Sequence, residues 1–159
     1  MRGTTARGSA APAAPERADP RVVRSRELVL DAARGEFLAH GYLAATVDGI
    51  AEAAGVAKRT VYNLFASKDE LFRAVIGRAT DTAERFVAER VEAPVGVRPV
   101  EEEIRDFAVA HARAVVTPQV VATRRLLIGE AQRFPELAAE YFERVPRAVI
   151  VITIIRLTR

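Results

Sequence analysis

The chain is 159 residues long, half hydrophobic and 28% charged, with a formal net charge of +3. That is the profile of a globular protein able to bury a core without staples. It has no cysteine and only two histidines, His40 and His111, which excludes disulfides, thiolate metal sites, cysteine nucleophiles and a histidine metal cage. No run approaches the roughly 20 apolar residues of a spanning helix. The basic, proline-broken start lacks the apolar core of a signal peptide. A cytoplasmic chain with no membrane segment is expected.

Residues 1–20 mix Pro12, Pro15 and Pro20 with Ala, Gly, Ser and Arg. Nothing there can form a packed face, so the segment reads as a disordered tail. Arg2, Arg7, Arg17, Arg21, Arg24 and Arg26 face only Glu16 and Asp19 in the first 26 residues. The rest of the chain is close to neutral. Such an arm is either a nucleic-acid contact or a solvated tail.

From Ser25 to His40 the pattern turns helical, with Val29, Ala33 and Phe37 at i, i+4 and i+8. Ser25 is the candidate N-cap and Gly41 the C-cap. Thr46 caps a second unit carrying Val47, Ile50, Ala51 and Ala54, which Gly55 interrupts. A short helix from Ala57 to Phe65 follows. Ser67, with Asp69 and Glu70 behind it, starts a long helix reaching about Glu92. Pro94, Gly96 and Pro99 mark a loop. Further helices are predicted over Val100 to Val116, Gln119 to Phe134 and Glu136 to Arg144, with Pro135 as a first helical residue. The run Ala148 to Ile155 reads AVIVITII, whose β-branched residues favour strand over helix. The fold class is nevertheless all-α.

The informative segment is Thr46 to Phe65, TVDGIAEAAGVAKRTVYNLF. Two short helices around a glycine turn make a helix-turn-helix. Ala51 is small where the helices meet, Gly55 permits the positive φ of the turn, and Val61 is the buried contact of the second helix. Lys58, Arg59, Thr60, Tyr62 and Asn63 then crowd one short helix. Lysine and arginine can neutralise phosphates or read guanine, asparagine can pair with adenine, and threonine can touch a thymine methyl. The bland reading is a solvated helix in a small bundle. No Ser/His/Asp set, metal cluster or phosphate-cradling glycine loop is present, so neither an enzyme nor a cofactor is implied.

Residues 29–76 resemble the DNA-binding domain of TetR/AcrR-family transcriptional regulators. VLDAARGEFLAHGY at 29–42 and TVDGIAEAAGVAKRTVYNLFASKDELFRAVI at 46–76 carry the resemblance. RRLLIGEAQRFPELAAEYFERVP at 124–146 is similar, more weakly, to the helical sensor domain of one branch. Behind the disordered tail (1–20), the resemblance implies a three-helix helix-turn-helix domain (21–67) and a helical-bundle sensor and dimerisation domain (68–159). It implies a repressor that binds a near-palindromic double-stranded operator as a homodimer, released by a small apolar or amphipathic ligand.

By the same resemblance Thr46 caps the second helix at a phosphate, and 57–64 is the recognition helix. Thr60 and Tyr62 touch DNA, Lys58, Arg59 and Asn63 set operator choice, and Lys68 contacts a phosphate. Two positions depart from the family pattern. Ala57 replaces the usual Ser or Thr cap, and Leu64 stands where an aromatic or histidine often meets the backbone. Arg21, Arg24 and Arg26 are placed to extend the contact. Candidate ligand-pocket residues are Phe86, Phe107, His111, Arg125, Phe134 and Tyr141 on otherwise apolar helices, each with an ordinary core or surface role as its alternative.

Composition changes after about Val145, where the resemblance fades. That points to a truncated or frame-shifted end. The alternative is a genuine short variant with Val149, Ile152 and Ile155 on one helix face. A shortened partner that pairs with related regulators, without operator binding of its own, is the rival function.

Overall fold

Asp19 and Pro20 start the first helix five residues ahead of the apolar period. The Asp19 carboxylate accepts a hydrogen bond from the Arg21 amide at 2.9 Å, and Pro20 occupies the first turn, where its missing N–H costs nothing. The computed structural model describes residues 19–91 and 98–157. Among these it has eight helices and no strand. They are α1 (Pro20–Ala44), α2 (Val47–Ala54), α3 (Lys58–Leu64), α4 (Lys68–Val91), α5 (Val100–Val115), α6 (Pro118–Gly129), α7 (Pro135–Arg144) and α8 (Pro146–Leu157). The tail at 1–18, the expected helix end at Glu92, and Pro94 and Gly96 lie outside the described residues.

Gly41 kinks the end of α1 with φ 72° and ψ 172°. This is not the left-handed helical cap that its place in the sequence suggests. It is a region that glycine alone enters cheaply. The kink turns Tyr42 back under the helix, where it is buried. Gly55 closes α2 in the expected left-handed conformation, φ 66° and ψ 31°. At the start of α4 the Ser67 hydroxyl accepts from the Glu70 amide at 3.1 Å, and the Glu70 carboxylate accepts from the Ala66 amide at 2.7 Å. This is a capping box displaced by one residue.

Among the described residues one core cluster joins the helix-turn-helix to α1, α4, α6 and α7. Val29, Leu30, Ala33 and Phe37 of α1 pack with Ile50, Ala51, Val61 and Phe65 of the helix-turn-helix and with Leu71, Phe72, Val75 and Ile76 of α4. Leu127, Phe134 and Leu137 enter the same cluster from α6, the α6–α7 turn and α7. At its centre four rings meet. Phe72 lies edge-on to Phe37 and Tyr42, at 5.2 and 5.1 Å between centroids, and stacks on Phe134 at 4.8 Å. Tyr42 is edge-on to Phe134 at 5.2 Å. Three cations sit on these rings: Lys68 and Arg133 lie 4.6 and 5.2 Å from the Tyr42 centroid, and Arg73 lies 4.9 Å from that of Phe134. The Tyr42 hydroxyl donates to Asp69.

The sequence expectation for Phe134, a ligand-facing side chain, is therefore corrected. Its ring is consumed by the core and only 1% exposed. The helix predicted over Gln119 to Phe134 stops at Gly129. The Arg133 and Phe134 amides both donate to the Glu130 carbonyl at 2.9 Å, making the turn that delivers Phe134 to the rings.

Residues 146–157 form α8, contrary to the strand tendency of AVIVITII. β-Propensity spans only about 1 kcal/mol and yields to packing. Here α8 rests on α7, α5 and α4 behind buried Val145. Val149 is half-buried, and the Ile152 and Ile155 side chains lie outside those described. Arg144 ties α7 to α4, with its guanidinium within 2.7 Å of Asp81, Glu84 and Glu140. Those hydrogen bonds push its pKa up.

Two outcomes follow from the shared core. Phe134→Ala should cost about 3–5 kcal/mol, the range for an aromatic removed from a core, in a single urea transition. A loss below about 1 kcal/mol would show that the ring is not structural. Burial, and then the bond to Asp69, push the Tyr42 pKa up to about 12 from 10.0. The raised value means that this stabilisation is complete below pH 10 and is lost as pH climbs towards 12. An ultraviolet titration should show a tyrosine ionising near pH 12, and Tyr42→Phe should abolish that step.

Candidate nucleic-acid interface

The helix-turn-helix is fixed from below. Val61 faces the core at 2% exposure, and the neighbouring rows of α3 point outward. Lys58 and Tyr62 form one i, i+4 row, Arg59 and Asn63 the next, and all four are exposed. Tyr62 is 47% exposed although aromatic. Among the described residues neither the Arg59 guanidinium nor the Asn63 amide has a side-chain hydrogen bond or ion pair. Donors and acceptors thus face solvent on a helix whose opposite side is locked.

Thr46 extends this face. Its hydroxyl oxygen accepts from the Gly49 amide at 3.0 Å, capping α2, and leaves its own O–H proton for an outside acceptor. Gly49 leaves little room for a side chain there. A Cβ would lie 3.2 Å from Glu36 Oε2 and 3.3 Å from Thr46 Oγ1. Thr60 is half-buried in the first turn of α3. Ala57 provides no side-chain cap, as the sequence implied.

Three cations are not simply outward-facing. Lys58 pairs with Asp48 of α2 at 2.8 Å, both ends exposed, and that pairing raises its pKa. Lys68 donates to the carbonyls of Ala45 and Leu43 at 2.8 and 3.2 Å, so two of its three donors tie down the α1–α2 turn and one remains. Arg26 lies 4.5 Å over the Phe65 ring, with Nη1 3.5 Å from the Leu64 carbonyl. It braces the end of α3, whereas Arg21 and Arg24 are exposed. Sequence reasoning missed Asp48 and the bracing role of Arg26. These contacts span 10 and 38 residues, which no local period registers.

The ligand-pocket candidates are not brought together as a set. Phe107 and His111 stack at 5.9 Å, one turn apart on α5. Phe86 is half-buried on α4 and Arg125 is exposed. Tyr141 does line a cleft of about 360 Å³ between α1, α4, α6 and α7. Arg124, not Arg125, accompanies it there, and its Nε donates to the Tyr141 hydroxyl at 2.7 Å.

Residues 29–75 match the model of the tetR family of bacterial regulatory proteins, and residues 102–156 match the C-terminal domain of AefR-like transcriptional repressors. The two matches together span more than half of the chain. The chain belongs to the TetR family of DNA-binding transcriptional regulators. The second match runs through α8, so the resemblance does not fade at Val145.

The activator FasR of Mycolicibacterium smegmatis is 43% identical over 77 residues, 47% of this chain and 35% of that one. The repressor ComR of Escherichia coli is 34% identical over 102 residues, 63% of this chain and 47% of that one. The chain spans between a quarter and three-fifths of the curated relatives it matches. Among solved structures, a TetR-family regulator from Mesorhizobium loti superposes with a TM-score of 0.70 at 25% identity, over 88% of this chain and 71% of that one. The flavonoid-responsive regulator FrrA superposes with a TM-score of 0.61 at 34% identity, over 85% and 65%.

The uncapped α3 generates an expected outcome. Ala57 already has the extended backbone of an N-cap, φ −68° and ψ 144°. Ala57→Ser should therefore stabilise the chain by about 1 kcal/mol, measured by the thermal midpoint. A lowered midpoint would show that the cap geometry is unsuitable.

Proposed function

We propose that the chain represses transcription by docking α3 of each protomer of a homodimer into the major groove of a near-palindromic operator, and that a small ligand releases it. The observation that carries this reading is the face of Arg59, Tyr62 and Asn63, solvated on a helix locked from behind by Val61 and Phe65. Arg59 and Asn63 suit base edges, while Tyr62, Thr46 and the remaining donor of Lys68 suit phosphates. Repression, rather than activation, is favoured by the match of residues 102–156 to a repressor C-terminal domain. The apolar residues Ile150, Val151 and Ile154 exposed on α8 favour pairing of two copies. No described helix is long and apolar enough to cross a membrane.

In this reading the Asp48–Lys58 pair regulates affinity. A phosphate competing for Lys58 must displace Asp48, whose own charge is repelled by the duplex. Asp48→Asn should therefore tighten binding several-fold at low salt, an advantage that shrinks as salt screens it.

Selection from random duplexes should yield paired half-sites about 34–36 Å apart. Tyr62→Ala should then weaken binding to all sequences, and Asn63→Ala should relax base choice at one position. Arg59→Ala should either relax base choice or flatten the salt dependence by about one ion. Wild-type binding by all three variants would remove α3 from the interface.

A further inference from the structure

The cleft between α1, α4, α6 and α7 has an unusual lining. Its floor is apolar, formed by Ile76 of α4 with Val120 and Leu127 of α6. Its polar residues include four arginines, Arg34, Arg78, Arg85 and Arg124, against one carboxylate, Asp31. That carboxylate is already engaged. Asp31 and Glu27 hold Arg78 at 2.6 and 2.9 Å. Among the described residues Arg34, Arg85 and Arg124 have no carboxylate within ion-pair distance. Arg124 is oriented by Tyr141 through Nε, which leaves the terminal nitrogens of its guanidinium to donate elsewhere. A site of about 360 Å³ with an apolar floor and arginines along its walls is within the size range of small-molecule sites.

We propose that this cleft binds an amphipathic organic anion. Its carboxylate would be held by Arg124 with Arg34 across the cleft, and its apolar body would lie on Ile76, Val120 and Leu127. Arginine forks match a carboxylate, and such charge-assisted bonds are about twice as strong as neutral ones. The location gives the site a consequence. Arg34 belongs to α1, the helix that carries Val29 and Phe37 beneath the helix-turn-helix, and Arg124 belongs to α6. An occupant touching both helices couples its binding to the placement of α3. This consequence rests on the regulatory reading above, whereas binding itself does not.

The test is calorimetric titration of the full chain with decanoate and with decanol, which share a tail and differ in charge. Decanoate should bind with one-to-one stoichiometry at least ten-fold tighter than decanol. Combined Arg34→Ala and Arg124→Ala should erase that preference, whereas Phe107→Ala, outside the cleft, should preserve it. Absent decanoate binding, equal affinity for the two probes, or an undiminished preference in the double variant would overturn the site. With the selected duplex present, decanoate should shift duplex affinity 5-fold or more, within the usual span of allosteric coupling. Decanoate binding with an unchanged duplex affinity would keep the site and overturn the coupling. Decanoate binding by a chain that binds no duplex would keep the site and sink the regulatory reading. Duplex binding without decanoate binding would do the reverse.

Discussion

The structure depends on the packing of four rings, Phe37, Tyr42, Phe72 and Phe134, where three segments distant in sequence meet. Phe37 and Tyr42 flank the Gly41 kink, Phe72 opens α4, and Phe134 ends the α6–α7 turn. Without the positive φ at Gly41, Tyr42 would continue along α1 instead of returning to Phe72. Without the turn at Glu130, Phe134 would be carried past the cluster. Lys68 and Arg133, on Tyr42, and Arg73, on Phe134, close the edges. Cationic side chains contribute cation–π attraction there without a buried unpaired charge.

This joint places the recognition helix. α3 is too short to be stable alone and lacks a side-chain cap. It is held instead by packing on α2, by Val61 in the shared core and by Phe65 under Arg26. The rings that fix α1 against α4 include one from the C-terminal half. The α6–α7 turn thus packs directly on Tyr42 and Phe72 of the elements that carry the platform of α3. The boundary expected at residues 67 and 68 separates two sequence patterns but not two cores, because α4 contributes Phe72 and Ile76 to both sides.

Much of this was legible in the sequence where the signal is local. The cap at Thr46, the left-handed turn at Gly55, buried Val61 and the exposed polar rows of α3 all follow from spacing within twenty residues. Chemistry acting across the chain was not legible. The pairing of Lys58 with Asp48, the Lys68 bonds to two carbonyls, and the inward turn of Arg124 in place of Arg125 depend on how helices approach one another. Phe134 looked like a pocket residue because it was assigned to a helix running from Gln119 to Phe134, whereas α6 ends at Gly129 and a turn at Glu130 delivers the ring to the core. α8 looked like a strand because β-branching is intrinsic, while the packing that overrides it is not.

The central claim is that one core unites α6 and α7 with the platform of α3. Native-state hydrogen exchange tests it most directly, because it reads the opening free energy of each segment separately. The buried amides of α4 around Phe72 and of α7 around Leu137 should open together, at the free energy of global unfolding. Exchange of the α7 amides at a much lower free energy, with α1 and α4 still protected, would contradict the claim.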